Sequence, residues 1–187
     1  MNECMIKKWE TTRIHTVDDY YIFNVLRMER KNPSTGKISD FVVIDSQTWV
    51  NVIPITIEKK IIFVRQYRHG VDDITLELPG GLVESEESTE DSVIRETLEE
   101  TGYTSDSSPI LLGVCDANPA FMNNECHSFL LENCVLRQEQ KLDSNEIIEV
   151  VAIPIENVGQ LVRDGEIRHP LVLSALFWYS QRYESLL

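Results

Sequence analysis

The sequence predicts a mixed α/β layered fold in which strands and helices surround one core. Three observations support this fold class: β-branched apolar runs recur along the chain, an acidic helical segment follows Pro79, and another helix begins near Pro170. The chain has 187 residues, of which 42% are hydrophobic and 26% are charged. This length and composition are typical of one globular domain with a substantial core.

The first predicted elements are strands. Residues 20–30 and 38–45 are rich in β-branched and aromatic side chains, and the turn-forming sequence Asn-Pro-Ser-Thr-Gly lies between them, so they predict a β-hairpin. Further strands are predicted over the apolar runs 50–57, 60–66 and 76–78.

A helix is predicted from about residue 88 to Gly102. Ser88 stands three residues before Asp91 in an arrangement like a capping box, and glycine is a common stop signal. We expect one side of this helix to pack against a sheet and the opposite side to be acidic. The residues expected on the packing side are Val93, Ile94, Thr97, Leu98 and Thr101.

The last third of the chain predicts three strands and two helices. The strands cover residues 110–114, 127–131 and 147–153, and a short helix covers 156–162. The final helix opens at His169 and runs to about Ser185, with Pro170 in its first turn. Trp178 on this helix is expected to pack in the core.

Composition excludes several classes of partner. A formal net charge of −14 argues against binding to nucleic acid, because such proteins usually present basic surfaces. No segment approaches the roughly 20 apolar residues that span a bilayer, so we expect no membrane partner and a cytoplasmic location. The cysteines lack the paired spacing of a zinc site and are expected to be reduced structural thiols. They are Cys4, Cys115, Cys126 and Cys134.

The segment from Gly81 to Tyr103 carries eight carboxylates and one arginine. Like charges at neighbouring helical positions destabilise a helix, so a compensating partner is expected. Glu96 and Glu100 lie one turn apart with Glu99 beside them, and we expect the three carboxylates to converge. Oxygen ligands of this kind suit Mg²⁺, with Mn²⁺ as a second choice. The alternative is a salt-bridged acidic surface helix, which does not require this spacing.

The same segment resembles the Nudix box, G-x5-E-x7-R-E-U-x-E-E-x-G-U, in which U is a bulky aliphatic residue. Thr97 departs from the pattern, but its hydroxyl can bond to a carbonyl one turn earlier and its shape is close to that of valine. The resemblance implies a Nudix-type α/β/α sandwich with a mixed sheet, together with an N-terminal β-hairpin region. All seven fixed positions match, and they are Gly81, Glu87, Arg95, Glu96, Glu99, Glu100 and Gly102.

The resemblance also implies roles for individual residues. The metal ligands would be the Gly80 carbonyl, Glu96, Glu99, Glu100 and Glu146, and Glu99 could instead orient water. Arg95 and Glu87 would not bind the metal themselves but would contact and orient its ligands. For the catalytic base, Glu146 is the first choice and Glu149 the second, because related pyrophosphatases place a glutamate in this segment. The alternative for both is an exposed loop acid.

A second resemblance concerns the substrate. Residues 64–84 are similar to the corresponding region of ADP-ribose and ADP-sugar pyrophosphatases, and Pro119 stands at that family's ADP-ribose marker position, sixteen residues beyond Tyr103. Arg68 would contact the diphosphate, as guanidinium is a good bidentate partner for phosphate, and Arg65 is a weaker candidate. The other substrate-binding candidates are Trp9, Trp49, Glu77, Leu82 and Asn118. The two tryptophans could instead be interface or core residues, and His69 and His127 are expected to be structural or to lie at the substrate's edge.

The predicted activity is Mg²⁺-dependent hydrolysis of ADP-ribose to AMP and ribose 5-phosphate by a homodimer. Residues 1–48 would form a β-rich dimerisation and substrate segment, and residues 49–187 the Nudix hydrolase core. One alternative is another substrate, such as a nucleotide sugar like GDP-mannose or a dinucleotide. The other is a non-catalytic module that senses an ADP-ribose-like ligand.

Overall fold

The computed structural model describes residues 6–183, so Cys4 and the predicted helix end at Ser185 lie outside the described residues. The chain divides into two compact units, one containing the residues up to Gln47 with Asp116–Asn124, and the other containing Thr48–Cys115 with the residues from Glu125 onwards. As functional domains, 1–48 and 49–187 stay a prediction. The elements in the described residues are the strands β1 (Glu10–Tyr20), β2 (Phe23–Lys31), β3 (Ile38–Ser46), β4 (Trp49–Thr56), β5 (Lys60–Arg68), β6 (Asp73–Glu77), β7 (Gly80–Leu82), β8 (Tyr103–Thr104), β9 (Ile110–Asp116), β10 (Glu125–Leu136) and β11 (Ile148–Pro154), and the helices α1 (Thr89–Thr101), α2 (Ile155–Arg163) and α3 (Pro170–Arg182).

The first unit contains an antiparallel sheet of three strands in the order β1-β2-β3. The predicted hairpin is confirmed as β2 and β3. The Asn32 side chain accepts hydrogen bonds from the amides of Ser34 and Thr35 in the turn between them. The sequence did not predict β1, because all eleven of its residues are exposed and no alternation of buried and exposed positions marks it.

The second unit contains a mixed sheet in the order β11-β5-β4-β10-β8, to which β6, β7 and β9 add as partners of β5, β4 and β10. The central pair, β4 and β10, is parallel, whereas the pairs β5–β11, β5–β6 and β4–β7 are antiparallel. The mixed sheet is therefore as predicted. Strand β10 runs well beyond the predicted residues 127–131.

Helices cover both faces of this sheet. Adjacent residues of β4 point to opposite faces, so Val52 belongs to the core cluster on the side of α1, and Ile53 belongs to the cluster that contains residues of α2 and α3. The α1 cluster includes Val93, and the other includes Leu176, with Trp178 packed against it as predicted. The second unit is thus the expected α/β/α sandwich.

Helix α1 begins and ends as predicted. The Ser88 side chain accepts a hydrogen bond from the Asp91 amide at 3.1 Å, and Gly102 has a left-handed φ of 75°. The Thr97 hydroxyl donates to the Val93 carbonyl at 2.6 Å, as expected for a threonine on the packing side. Glu100, near the C-terminal end of this helix, is only 5% exposed.

Two further observations complete the fold. Cys126 and Cys134 are buried thiols, and burial raises the pKa of each to about 12. In the part of the chain from residue 6 to residue 183, no helix is long and apolar enough to cross a membrane.

Replacement of Gly102 by alanine is expected to destabilise the protein by at least about 2 kcal/mol. A left-handed φ disfavours any residue with a side chain by roughly 1–2 kcal/mol, and here the new methyl group would also overlap the Gln138 carbonyl oxygen. Gly165→Ala is the matched control, because Gly165 has a φ of 76° but nothing within 4 Å of a methyl group. Urea unfolding of both variants measures the difference, and equal destabilisation would contradict the predicted overlap.

Candidate active site

Glu100 lies at the C-terminal end of α1, against strand β7. Its Oε2 accepts a hydrogen bond from the Gly80 amide at 2.9 Å. Because the residue is buried, this hydrogen bond holds the carboxylate against the strand that precedes the helix. The Gly80 amide therefore contacts a predicted metal ligand, and the predicted role of the Gly80 carbonyl stays a prediction.

Gly81 leaves room for the side chain of Glu96. A methyl group at position 81 would overlap Oε1 of Glu96. Any larger residue would therefore force the Glu96 carboxylate to move away from this strand. Glycine at position 81 thus leaves the space that the Glu96 carboxylate occupies.

Arg95 connects three of the box glutamates. Its Nε and Nη2 donate to the two carboxylate oxygens of Glu87 at 2.9 Å each. Its Nη1 donates to Glu96 at 2.8 Å and to Glu99 at 3.3 Å, and Nη2 also donates to the Leu82 carbonyl at 3.1 Å. These hydrogen bonds, of which those to Glu87 contribute most, raise the pKa of Arg95 and lower that of Glu87. Arg95 therefore provides the positive charge that the acidic helix requires.

The predicted convergence of three carboxylates is not observed. Among residues 6–183, no group of three or more His, Cys, Asp or Glu side chains is arranged to hold a metal ion. Like charges repel, and Arg95 draws Glu96 and Glu99 towards itself while Glu100 bonds to the Gly80 amide. The three residues lie near one end of the helix and their charges act on one another, but their side-chain partners keep them from forming a ready ligand group.

The electrostatics of the same carboxylates nevertheless fit a divalent cation. Burial and, after it, the charges of Glu96 and Glu146 raise the pKa of Glu100 to about 8. Burial also raises the pKa of Glu96, and Glu99 and Glu146 add to the shift. Such mutual destabilisation of negative charge is what a bound cation relieves, and carboxylate oxygens are the ligands that Mg²⁺ prefers. The chemistry of the donor set therefore fits the metal that the sequence predicted.

The raised pKa of Glu100 predicts a pH-dependent stability in metal-free buffer. In the folded protein Glu100 keeps its proton up to about pH 8, whereas in the unfolded chain a glutamate releases it near pH 4.5. The stability from this group is therefore complete below about pH 4.5 and is lost as the pH rises through 8. Glu100→Gln, which cannot ionise, should lack this decline. Urea unfolding of both proteins with EDTA between pH 5 and 9 gives the comparison, and parallel pH profiles would contradict it.

Glu146 and Glu149 occupy different surroundings. Glu146 is exposed, and its charge raises the pKa of both Glu96 and Glu100, so it lies close to them. Glu149 forms an ion pair with Arg65, its cross-strand neighbour, whose Nη1 lies 3.4 Å from the Glu149 carboxylate. The structure thus brings Glu146 to the box carboxylates, while Glu149 and Arg65 form an exposed ion pair.

The loop that carries Glu146 is attached to the end of α1. The Gln140 side chain donates to the Glu100 carbonyl at 2.5 Å and to the Ile148 carbonyl at 3.2 Å. One residue later, the Lys141 amide donates to the Glu99 carbonyl at 2.8 Å. Backbone and amide contacts therefore fix this loop beside the two glutamates of the box.

Arg68 and Glu77 form an ion pair, and the charges of Glu100 and Glu146 act on Arg68. The Arg68 Nε and Nη2 donate to Oε1 and Oε2 of Glu77 at 2.9 and 2.8 Å, and the Thr75 hydroxyl donates to Oε1 at 2.6 Å. Burial is the largest single influence on the pKa of Glu77 and raises it, but the hydrogen bonds and charge of Arg68, together with Thr75 and His169, lower it overall. The hydrogen bond with Glu77 raises the pKa of Arg68, and the charges of Glu100 and Glu146 contribute in the same direction. Arg68 is therefore close to both glutamates.

The remaining candidates of this unit lie on the β4–β7 pair. Trp49 pairs with Leu82 in the antiparallel register, and both side chains are half-buried. The Leu82 carbonyl accepts from Arg95, so Leu82 is linked directly to the box. Leu82 directly follows Gly81 of the box, and Trp49 is its cross-strand partner; the substrate contacts of both residues stay predictions.

Trp9 and Asn118 belong to the first compact unit and are described within it. The ring of Trp9 meets that of Phe41 edge to face at a centroid distance of 5.5 Å. The Asn118 side chain accepts from the Ala120 amide at 3.4 Å, and its carbonyl accepts from the Met122 amide at 2.8 Å. Asn118 thus shapes its own turn, and a role for either residue in substrate binding stays a prediction.

The two histidines singled out from the sequence have local partners. The ring of His69 lies edge to face with that of Tyr67, and the ring of His127 is 3.2 Å from the Glu125 carboxylate. Neither contact involves the glutamates of the box.

Three polar residues of the second unit were not among the predicted site residues. Thr75 bonds to Glu77, the charge of His169 acts on Glu77, and the Asn51 side chain donates to the Leu171 carbonyl at 3.1 Å. Nδ1 of His169 and Oδ1 of Asn51 are buried and have no hydrogen-bond partner in the described part of the chain. The alternation of side chains along a strand places Thr75 on the same side as Glu77, so Thr75 could have been predicted as its neighbour. Nothing in the sequence predicts the contact of Asn51 with α3.

Comparison with known proteins identifies the family. The model of the NUDIX domain matches residues 46–176. The chain is 33% identical over 133 residues to an ADP-ribose pyrophosphatase of Bacillus subtilis (strain 168), with 71% of each protein covered. It is 26% identical over 152 residues to a methanol dehydrogenase activator of Bacillus methanolicus, with 81% of each covered.

A solved structure agrees with the fold. The crystal structure of an ADP compounds hydrolase superposes with a TM-score of 0.82 over 96% of both chains, at 20% sequence identity. At this identity the likeness concerns the fold alone. Together with the matched domain model and the identity to the Bacillus subtilis protein, it confirms the resemblance predicted from the box, and the chain belongs to the Nudix hydrolase family.

Proposed function

We propose that this chain hydrolyses the diphosphate of ADP-ribose in the presence of Mg²⁺, giving AMP and ribose 5-phosphate. The observation that supports the proposal most is the group of Glu96, Glu100 and Glu146, whose charges act on one another beside the guanidinium of Arg68. An anionic diphosphate needs positive charge, and such a carboxylate group next to an arginine suits a cation and a phosphate together. The similarity to ADP-ribose pyrophosphatases supports ADP-ribose as the substrate.

Each residue has a part in this proposal. Glu96 and Glu100 hold the metal, with the Gly80 carbonyl and Glu99 as further ligands, and Mn²⁺ can replace Mg²⁺. When bound, the metal neutralises phosphate oxygens and lowers the pKa of a water molecule. Glu146 accepts the proton of the attacking water, because it is an exposed acid whose charge acts on both Glu96 and Glu100. Arg95 and Glu87 keep the helix and the preceding loop together.

Hydrolysis of ADP-ribose in ¹⁸O-labelled water tests the proposal. We expect AMP and ribose 5-phosphate in equal amounts with Mg²⁺, no products with EDTA, and the label in only one product, which identifies the phosphorus attacked. A panel with GDP-mannose, other nucleotide sugars and dinucleotides compares kcat/KM between substrates. A higher kcat/KM for one of these would replace ADP-ribose as the substrate, and tight binding of ADP-ribose without any product would favour the sensing module.

We further propose that the chain is a homodimer that uses the sheet β1–β3. This sheet exposes several large apolar side chains, a feature that marks interaction surfaces. They include Ile14, Val17, Tyr20, Ile38, Phe41 and Val42. By register, Ile14 and Phe41 share one face and Val42 lies on the other, so Ile14→Glu and Val42→Glu test the two faces separately. Sedimentation should show a dimer for the wild type and a monomer for one variant; a monomeric wild type would exclude this proposal.

Two expectations from the sequence are retained here as proposals. The substrate is a small nucleotide and not a nucleic acid, in keeping with the net charge of −14. The cytoplasm is the compartment in which such a substrate and reduced thiols are expected to be found together. Fractionation of cells that express the tagged protein tests the location.

A further inference from the structure

We propose that Glu77 is a positioning residue, which together with Thr75 orients the guanidinium of Arg68 towards the diphosphate and does not itself contact substrate. This role replaces the direct substrate contact that the sequence suggested for Glu77. The identity of the anion rests on the proposed function, whereas the orientation of Arg68 rests on the geometry of the β5–β6 hairpin.

The hairpin register places the three side chains on one face. Val64 pairs with Glu77, Gln66 with Thr75, and Arg68 with Asp73. Residues two positions apart on a strand point to the same side, so Thr75 and Glu77 share a face with Arg68. The Arg68 side chain therefore extends back along β6, past Thr75, to reach Glu77.

The hydrogen bonds divide the guanidinium into an occupied edge and an open edge. Nε and Nη2 of Arg68 bond to the two oxygens of Glu77, which uses two of the five N–H donors. Within the described residues, no acceptor pairs with Nη1. The edge formed by Nη1 and Nη2 can thus make the two parallel hydrogen bonds with which arginine binds phosphate.

Burial and charge exclude direct contact between Glu77 and the diphosphate. Glu77 is 3% exposed, whereas the Arg68 side chain is 46% exposed, so Arg68 alone of the pair reaches solvent. Both carboxylate oxygens already accept hydrogen bonds, and Oε1 accepts from Thr75 as well as from Arg68. A carboxylate would also repel a phosphate oxygen. Glu77 can influence the anion only through Arg68.

The orientation of Arg68 matters because of its neighbours. The charges of Glu100 and Glu146 act on the guanidinium, which therefore lies close to the carboxylates that are proposed to hold metal and activate water. An arginine released from Glu77 could turn and pair with these acids instead. Glu77 thus keeps the cation available for phosphate and keeps it away from the catalytic carboxylates.

A double-mutant cycle distinguishes this role from an independent substrate contact. Glu77→Gln should lower kcat/KM for ADP-ribose about 10- to 100-fold, chiefly through KM, because one charge-assisted pair is lost. Arg68→Ala should lower it by at least as much, and Glu77→Gln in the Arg68→Ala background should cause no further loss. Thr75→Val should have a smaller effect in the same direction, also absent in that background.

Asp73→Asn is the matched control. Asp73 lies on the same strand face, but its carboxylate pairs with Arg168 at 2.5 Å and not with Arg68. This variant should stay within about twofold of the wild type, as expected for an exposed ion pair. Thermal unfolding of every variant checks that the fold is retained. If Glu77→Gln does not fold, the Thr75→Val cycle decides the question alone.

Calorimetric binding of ADP-ribose in magnesium-free buffer separates the two proposals. Additive losses, or unchanged kinetics for both Glu77→Gln and Thr75→Val in an active enzyme, would overturn the positioning role and leave the proposed function intact. Binding that weakens non-additively in a protein without turnover would overturn the function and support the positioning role. A wild type that neither binds nor hydrolyses ADP-ribose would exclude both.

Discussion

Glu96→Gln and Glu100→Gln should each lower kcat for ADP-ribose on the order of 10³-fold, because each removes a charged oxygen ligand without changing side-chain volume. The two variants should differ in stability. Burial and neighbouring negative charge oppose ionisation of Glu100, so Glu100→Gln should unfold at the same temperature as the wild type or higher in metal-free buffer. Glu96 also pairs with Arg95, so its replacement should lower the unfolding temperature slightly.

The matched control for both is Glu90→Gln. Glu90 belongs to the same helix but is exposed in its first turn, where its carboxylate accepts a hydrogen bond from the neighbouring Thr89. This variant should keep full activity. Steady-state kinetics over a range of Mg²⁺ concentrations, with circular dichroism of each protein, provide the measurement. Full turnover by both box variants would disprove the assignment of Glu96 and Glu100 as metal ligands.

Glu146→Gln should lower kcat about 10²- to 10⁴-fold with little change in KM, the effect expected when a general base is removed. Glu149→Gln should change kcat less than about threefold, because Glu149 forms an exposed ion pair with Arg65 and such pairs contribute little. The two residues are three positions apart in one segment, so each is a strict control for the other.

Single-turnover kinetics at saturating substrate would separate the chemical step from product release. A reversed order, with Glu149→Gln the more damaging variant, would move the base to the second choice and would imply a rearrangement of β11. Loss of activity in both would indicate that the segment is needed as a whole, and would contradict the assignment of one base.

The sequence predicted most of the second unit, because its strands and helices follow local rules. Helix α1 has its own start and stop signals in Ser88 and Gly102, and both act as expected. The strands around β4 are continuous apolar runs, since both of their faces are covered by helices. The box was read from fixed spacing, which requires no knowledge of the fold.

The features that escaped prediction depend on contacts between distant segments. Strand β1 is exposed throughout, so burial leaves no pattern in its sequence. The hydrogen bond from the Gly80 amide to the Glu100 carboxylate was not predicted, because it joins two segments that are 20 residues apart in the chain. The pairing of Arg68 with Glu77, which are nine positions apart, requires the hairpin register, and the intervening residues do not specify it.

The two hydrogen bonds of the Gln140 side chain limit where the loop after β10 can change in length. Because its side chain joins the end of α1 to the start of β11, the loop is divided into two segments with different freedom. Insertions at Glu139 would lengthen only exposed chain between Gln140 and the residues that bond to Gly102, and should be tolerated. Insertions between Lys141 and Glu146 would change the span from a fixed anchor to the proposed base, so relatives should differ in length on the first side and agree on the second.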